Sequence, residues 1–302
     1  MPRSALTPLA AFGVALAWSG GWIFGKLGVE SVPPLEFSAA RFVIASVALV
    51  VVAIATRTRV HTDGLVPVFL SALFGYLGYN GFVFVALTMA PASDAALIVP
   101  TTIPVLTAIG ATFVGERLTA AKAGGFALAA AGAAIVIASG QSGAALSSTR
   151  LLGDALLLAG ALCWAIYTVL GKLTLRRRSP LEVIALGAPI GALLLLPFGL
   201  FEQGYRDIGT WSAQVWVDLL YLALVVTVGS FTVFYWIVNR VGAGIAALSS
   251  YFVPVVTLAM AVVFLGERPD ALQLAGGLVI LAGVRIATLR PAAVAPLPEG
   301  AA

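Results

Sequence analysis

Apolar and polar positions alternate along this chain on a long wavelength. Ten apolar runs, at about residues 8–27, 36–55, 65–88, 93–114, 122–139, 152–172, 181–200, 214–238, 243–265 and 271–289, are separated by short segments carrying Gly, Pro, Ser and charged residues. Each run can span about 30 Å of hydrocarbon at about 1.5 Å of rise per helical residue. A membrane barrel would instead show alternating segments of about ten residues. The pattern predicts an all-α integral membrane protein with ten transmembrane helices. The first run is expected to belong to the mature fold rather than to a cleaved signal. Its start, Met1-Pro-Arg3, is only weakly basic, and it holds Trp18, Trp22 and Lys26.

One stretch occurs twice. Trp18-Ser-Gly-Gly-Trp22-Ile-Phe-Gly25-Lys26 returns as Trp164-Ala-Ile-Tyr167-Thr-Val-Leu-Gly171-Lys172 at a constant offset of 146. Further landmarks follow in the same order. Gly78-Tyr79-Asn80 aligns with Gly229-Ser230-Phe231, Pro104 and Gly115-Glu116-Arg117 echo Pro254 and Gly266-Glu267-Arg268, and a glycine pair follows each. The chain is therefore expected to divide into residues 1–145 and 146–290, each of five helices, with a disordered tail at 291–302. Five is odd, so the second copy starts on the opposite side of the membrane. That is the inverted-topology repeat expected of an alternating-access transporter.

Composition agrees. Mean hydropathy is +1.05, 61% of the 302 residues are hydrophobic and 10% are charged, against about 25% charged in an average protein. A single cysteine, Cys163, excludes a disulfide framework within one chain, and with one histidine, His61, no His/Cys metal site is expected. No cofactor is implied. The cations mark topology rather than nucleic acid. With the N-terminus inside, ten of them, including Arg176-Arg177-Arg178, fall in cytoplasmic segments, and three, Arg150, Arg206 and Arg268, fall in outer loops. Both termini are expected to be cytoplasmic.

The two copies of Trp18 to Lys26, with Pro104 and Gly115-Glu116-Arg117 and their partners, resemble the drug/metabolite transporter superfamily in its ten-helix form with two EamA-type repeats. The resemblance covers about residues 8–289. Within the superfamily the chain is most similar to bacterial amino-acid and metabolite exporters, including the YddG-type exporters of aromatic amino acids. The resemblance implies a central cavity walled mainly by helices one, three and four and their counterparts six, eight and nine. It also implies outward transport of small metabolites across the bacterial inner membrane.

Several residues are candidates for meeting a substrate. Positions 18, 22 and 26 share one helical face, as do 164, 168 and 172. Such a stripe is either packing with a lysine snorkelling to the headgroups, or a lining that faces protein and water. Asn80, an amide inside a span, needs partners and faces the bundle, either as helix-to-helix glue or as a contact for substrate. Thr101 and Thr102 precede Pro104, and Ser249, Ser250 and Tyr251 precede Pro254. A proline frees a carbonyl one turn earlier, which hydroxyls repair or a substrate ammonium meets. The expected substrate-binding set is Trp18, Trp22, Tyr79, Asn80, Thr101, Trp164, Tyr167, Ser250 and Tyr251, with Lys26 and Lys172 as charges at opposite mouths. An aromatic, weakly polar lining suits an apolar zwitterion better than a phosphate or nucleotide sugar, which calls for converging Arg and Lys.

Arg41, Glu36 and Asp94 lie near span ends and read first as surface ion pairs, with a gate as the second reading. Glu116 and Glu267 read as helix caps or partners of the adjoining Arg. No mid-span acidic pair is evident, so facilitated diffusion stays open beside proton coupling. A membrane enzyme is not expected, because it needs a positioned Ser-His pair or paired acids. A carrier of other solutes and a lipid-scaffold protein are the competing classes. The expected partners are a small-molecule substrate and the bilayer, with no nucleic acid and at most weak oligomerisation.

Overall fold

A computed structural model describes residues 3–61, 63–112, 120–138, 147–175, 177–233 and 248–288. These form helices α1 (Arg3–Ser31), α2 (Pro34–Ala55), α3 (Val66–Met89), α4 (Ala92–Thr112), α5 (Ala120–Ala138), α6 (Ser148–Thr174), α7 (Pro180–Glu202), α8 (Ala213–Val233), α9 (Leu248–Met260 with a π-helical end, Ala261–Leu265) and α10 (Ala271–Thr288). No strand occurs among the described residues. Five helices, α2, α3, α6, α7 and α8, are long and apolar enough to cross a membrane. The tail, Glu116 and the segment around Asn239 lie outside the described residues.

Local signals explain the helix ends. Ser147, Ser179 and Ser212 each precede a helix and accept the backbone N–H three residues on, at 3.1, 3.2 and 3.4 Å. That is the N-cap role of a short hydroxyl side chain. α9 ends on Gly266 at φ +64°, a left-handed cap that glycine adopts without strain from a β-carbon. Other caps come from distant parts of the chain. Glu202, at the end of α7, accepts the backbone N–H groups of Leu35 and Glu36 at 2.9 Å each. Glu267 accepts those of Ala92 at 2.7 Å and Ser93 at 3.0 Å, so of the two glutamate readings it is the cap, and of another helix, α4.

The helices bury small residues against one another and leave large apolar ones outside. α5 and α10 approach through glycine: a β-carbon on Gly276 would lie 3.0 Å from the carbonyl oxygen of Gly132, and one on Gly283 would lie 2.6 Å from that of Gly125. Outward positions such as Ile54, Leu193, Val263 and Leu278 are more than two-thirds exposed, as lipid-facing side chains are in a structure without lipid. Neighbour relations carry a symmetry. α2 packs on α7 and α5 on α10; α4 packs on α6 as α9 packs on α1; α3 packs on α6 as α8 packs on α1. Adding five to a helix number maps one set of contacts onto the other.

Two helices change pitch where they cross the middle of the bundle. α3 is π-helical over Leu73–Gly78 and α8 over Tyr221–Ser230. A π turn widens the backbone ring and is often found at functional sites. Side chains fill these wide turns: Asn80 Nδ2 donates to the carbonyls of Gly75 and Tyr76 at 3.0 Å each, and Thr227 Oγ1 donates to that of Leu222 at 2.9 Å.

Candidate functional site

The π turns of α3 and α8 face α1 and α6, and aromatic rings from all four helices meet there. Tyr79 of α3 lies 4.6 Å from Trp164 of α6, ring centre to ring centre; Trp164 lies 5.0 Å from Tyr167 and 6.1 Å from Phe231 of α8; Phe231 lies 6.0 Å from Trp18 of α1. Tyr167 continues the chain edge-on to Tyr76 at 6.2 Å, and Tyr76 to Phe42 of α2 at 5.0 Å. The indole N–H of Trp18 donates to Ser230 Oγ at 2.8 Å. Tilted and edge-on rings at these separations add attraction beyond their buried area. The cluster presents flat apolar faces with a few phenol, indole and hydroxyl groups between them.

A guanidinium borders this cluster. Arg41 of α2 is 7% exposed. Its Nε and Nη2 donate to Thr227 Oγ1 at 3.3 and 3.0 Å, and its Nη1 donates to Asn80 Oδ1 at 3.3 Å. Its charged carbon lies 5.0 Å from the ring centre of Phe42 and 5.8 Å from that of Phe84. Among the described residues no carboxylate lies within ion-pair distance of it.

The other predicted residues divide. Trp22 is buried in the main apolar core, against which Trp18 and Tyr79 also pack, and no ring contact joins it to the cluster among the described residues. Thr101 is also buried and turns its hydroxyl back on its own helix, to the carbonyls of Leu97 and Ile98, rather than to the carbonyl of residue 100 that Pro104 leaves free. Lys26 donates Nζ to the carbonyls of Leu87 at 2.6 Å and Ala90 at 3.3 Å, and so caps the C-terminal end of α3. It also lines a cavity of about 560 Å³ together with Glu30, Arg150 and Glu267. Ser250 and Tyr251 lie on α9, and Lys172 on α6, but their side chains fall outside the described residues.

Two runs of the chain, residues 6–138 and 151–289, match the model of the EamA-like transporter family. The chain belongs to the EamA-like transporter family. A transporter of Archaeoglobus fulgidus is 30% identical over 91% of this chain and 94% of its own. A protein of Salmonella typhimurium named as a probable amino-acid metabolite efflux pump is 30% identical over 90% of this chain and 91% of its own. A crystal structure shares the fold at a TM-score of 0.67 and 23% identity, over 94% of this chain and 96% of that one. With its apolar helices, this EamA-like protein is a multi-pass membrane transporter.

Three charged residues read from sequence as surface ion pairs are buried in this transporter: Glu36, Arg41 and Asp94. Arg150, expected in an outer loop, is also buried. Its Nε pairs with Asp94 Oδ2 at 2.8 Å, while Gln273 of α10 donates to Asp94 Oδ1 at 2.5 Å. Asp154, one turn beyond Arg150, is 1% exposed and has no hydrogen-bond partner among the described residues, although it feels the charges of Asp94 and Arg150. Two buried acids thus flank Arg150 near the starts of α4 and α6, at positions 60 apart in the sequence. In the Arg176–Arg178 triplet, Arg178 is buried. It bonds Glu182 at 2.6 Å and the carbonyls of His61 and Asp63, tying two connections at one end of the bundle.

Sequence reasoning missed Arg41 as a site neighbour. The available signal was its place eight residues into α2, well past the interfacial turn. Ser230 and Thr227 were passed over as well, since aromatic and hydroxyl residues crowd that run without a visible helical face.

Proposed function

We propose that this transporter is an alternating-access exporter of small amino-acid metabolites, with aromatic and neutral amino acids as the leading substrates, in the bacterial inner membrane with both termini cytoplasmic. The proposal takes the chain as ten transmembrane helices in two inverted repeats, residues 1–145 and 146–290. The one observation that carries it is the ring cluster, drawn from α1 and α3 of the first half and α6 and α8 of the second. A site shared equally by two halves is exposed first to one side and then to the other when the halves rock. The paired helix contacts support that geometry, and the efflux-pump name of the Salmonella typhimurium relative supports the solute class.

The test is counterflow in proteoliposomes with labelled phenylalanine, tryptophan, leucine, alanine, a nucleotide sugar and a cationic drug. Uptake of the aromatic and large neutral amino acids, competed by their unlabelled forms, is the expected result. Uptake of the nucleotide sugar or the drug alone overturns it.

A further inference from the structure

Arg41 carries a full charge in a place where, among the described residues, none of its protein contacts is charged. It is the eighth residue of α2, about 11 Å along the helix axis from its start. Its acceptors are a threonine hydroxyl and an amide oxygen at 3.0–3.3 Å. Among the described residues it makes no ion pair, and the rings it lies against are those of Phe42 and Phe84. A guanidinium offers five N–H donors. The three bonds to Thr227 and Asn80 leave two donors with no protein acceptor among the described residues. Charged groups at this depth pair with an opposite charge or face a water-filled path, because an isolated ion in hydrocarbon is costly.

Its neighbours connect it to the ring cluster on both sides. Thr227 lies about one helical turn before Ser230 and Phe231, which hold Trp18. Asn80 follows Tyr79, which packs on Trp164. Both polar neighbours are anchored in π turns, Asn80 on Gly75 and Thr227 on Leu222, so their oxygens are held toward Arg41 rather than free to rotate away. The guanidinium plane is thus fixed beside a set of apolar faces, with donors left over. The rings touch one another, so a ligand enters by parting them.

We propose that Arg41 is the docking group for a substrate carboxylate, and that the transporter accepts apolar and aromatic monocarboxylates whether or not they carry an amino group. The proposal rests on the ring cluster being the substrate site and deepens that reading. A planar carboxylate accepts two N–H bonds from a guanidinium fork and supplies the missing charge. The aromatic or aliphatic remainder then lies on the faces of Trp164, Tyr79 and Phe231. The amino group is optional because, among the described residues, the ring contacts and hydrogen bonds of the cluster and of Arg41 involve phenyl, phenol, indole, hydroxyl and amide groups and no carboxylate. An α-ammonium is therefore met by ring faces and hydroxyls, not by an acid.

The experiment measures the ligand-induced rise in melting temperature of the protein in nanodiscs, titrated with phenylalanine, phenylalaninamide, 3-phenylpropionate and 3-phenylpropionamide. Wild type is expected to bind both carboxylates and to discriminate against both amides. Arg41→Gln is expected to weaken 3-phenylpropionate by at least about thirtyfold, leaving 3-phenylpropionamide nearly unchanged. Arg41→Lys keeps the charge without the fork. It is expected to bind the carboxylate more weakly than wild type and still prefer it to the amide, which keeps the test decisive if Arg41→Gln does not fold. An unchanged carboxylate-to-amide ratio in Arg41→Gln, or a lost preference in Arg41→Lys, overturns the proposal while leaving an amino-acid exporter standing. Binding of 3-phenylpropionate but not phenylalanine overturns the amino-acid reading and keeps Arg41 as the carboxylate group. Binding of neither carboxylate by wild type overturns both.

Discussion

Trp18 and Ser230, 212 residues apart, are joined by an indole N–H to hydroxyl bond of 2.8 Å. Ser230 in turn donates its own hydroxyl hydrogen bond to the carbonyl of Val226 at 2.5 Å. The first helix is thereby latched to the π turn of α8, and the indole is held with its ring toward Phe231. Trp18→Phe keeps a ring and deletes the donor, so it tests orientation apart from bulk. The expected outcome is near-normal folded protein with altered substrate selectivity, since a net hydrogen bond contributes only about 1 kcal/mol to stability. Trp164→Ala should change selectivity more, because Trp164 touches three other rings. Transport normalised to the amount of monodisperse protein is the measurement. If activity follows protein amount alone in both variants, the cluster is only packing.

The rods themselves were legible because apolar runs of membrane length have few alternatives, and the repeat because Trp, Gly-Lys, Pro and Gly-Glu-Arg recur in one order. That Trp18, Tyr79, Trp164 and Tyr167 share one ring cluster was legible for the same reason: aromatic residues at helical spacing mark a face. The environment of Arg41 was not legible. Position along α2 gives depth, but whether a cation meets an acid, a threonine or lipid depends on which helix packs opposite, and Thr227 is 186 residues away. The π turns were hidden too. They follow from how Asn80 and Thr227 satisfy widened backbone rings, and no residue pattern announces them. Trp22, singled out with Trp18 and Tyr79, is buried in the apolar core.

Glu267 ties the end of α9 to the start of α4 through two backbone N–H groups. Removing a charged acceptor there leaves two N–H groups at a helix N-terminus unsatisfied. Glu267→Ala is expected to lower stability by about 1–2 kcal/mol. Glu267→Gln, which retains one acceptor oxygen, should lie between it and wild type. Melting in detergent with a thiol-reactive dye on Cys163 reads the order. Equal melting of all three proteins would remove the cap from the account.

The α5–α10 contact makes a paired prediction about glycine. A β-carbon on Gly283 would stand 2.4 Å from the backbone nitrogen of Ala129, an atom that cannot move without its helix. A β-carbon on Gly124, on the same α5 helix, would meet nothing within 4 Å. Gly283→Ala is therefore expected to destabilise by about 1–3 kcal/mol, the usual penalty of overpacking. Gly124→Ala should be neutral or slightly stabilising, because alanine favours the helix by up to about 1 kcal/mol. Urea- or heat-induced loss of monodispersity compares the two, and a Gly124→Ala protein as weak as Gly283→Ala would refute the close approach.

Lys26 has two roles that one substitution separates. Its ammonium holds the carbonyls of Leu87 and Ala90 at the end of α3, and it lines the cavity shared with Glu30, Arg150 and Glu267. As a cap it contributes to stability in every conformation; as a charge at a mouth it acts only when that mouth is open. Lys26→Met keeps most of the stem, so the packing of α1 on α3 should survive. The cap alone is worth about 1–2 kcal/mol, for a charge-assisted bond partly exposed to water. If Lys26 is only a cap, Lys26→Met lowers the melting temperature and reduces transport equally in both directions. If it also draws in carboxylate, transport from the Lys26 side falls further, and the excess shrinks as salt is raised from low to physiological strength, because screening acts on a solvated charge. Transport in oriented vesicles, measured from each side at two salt concentrations, decides between them. The hydrogen bonds to Leu87 and Ala90 occupy two of the three ammonium protons, and they favour the symmetric loss, with Arg41 rather than Lys26 as the charge that a substrate meets at depth.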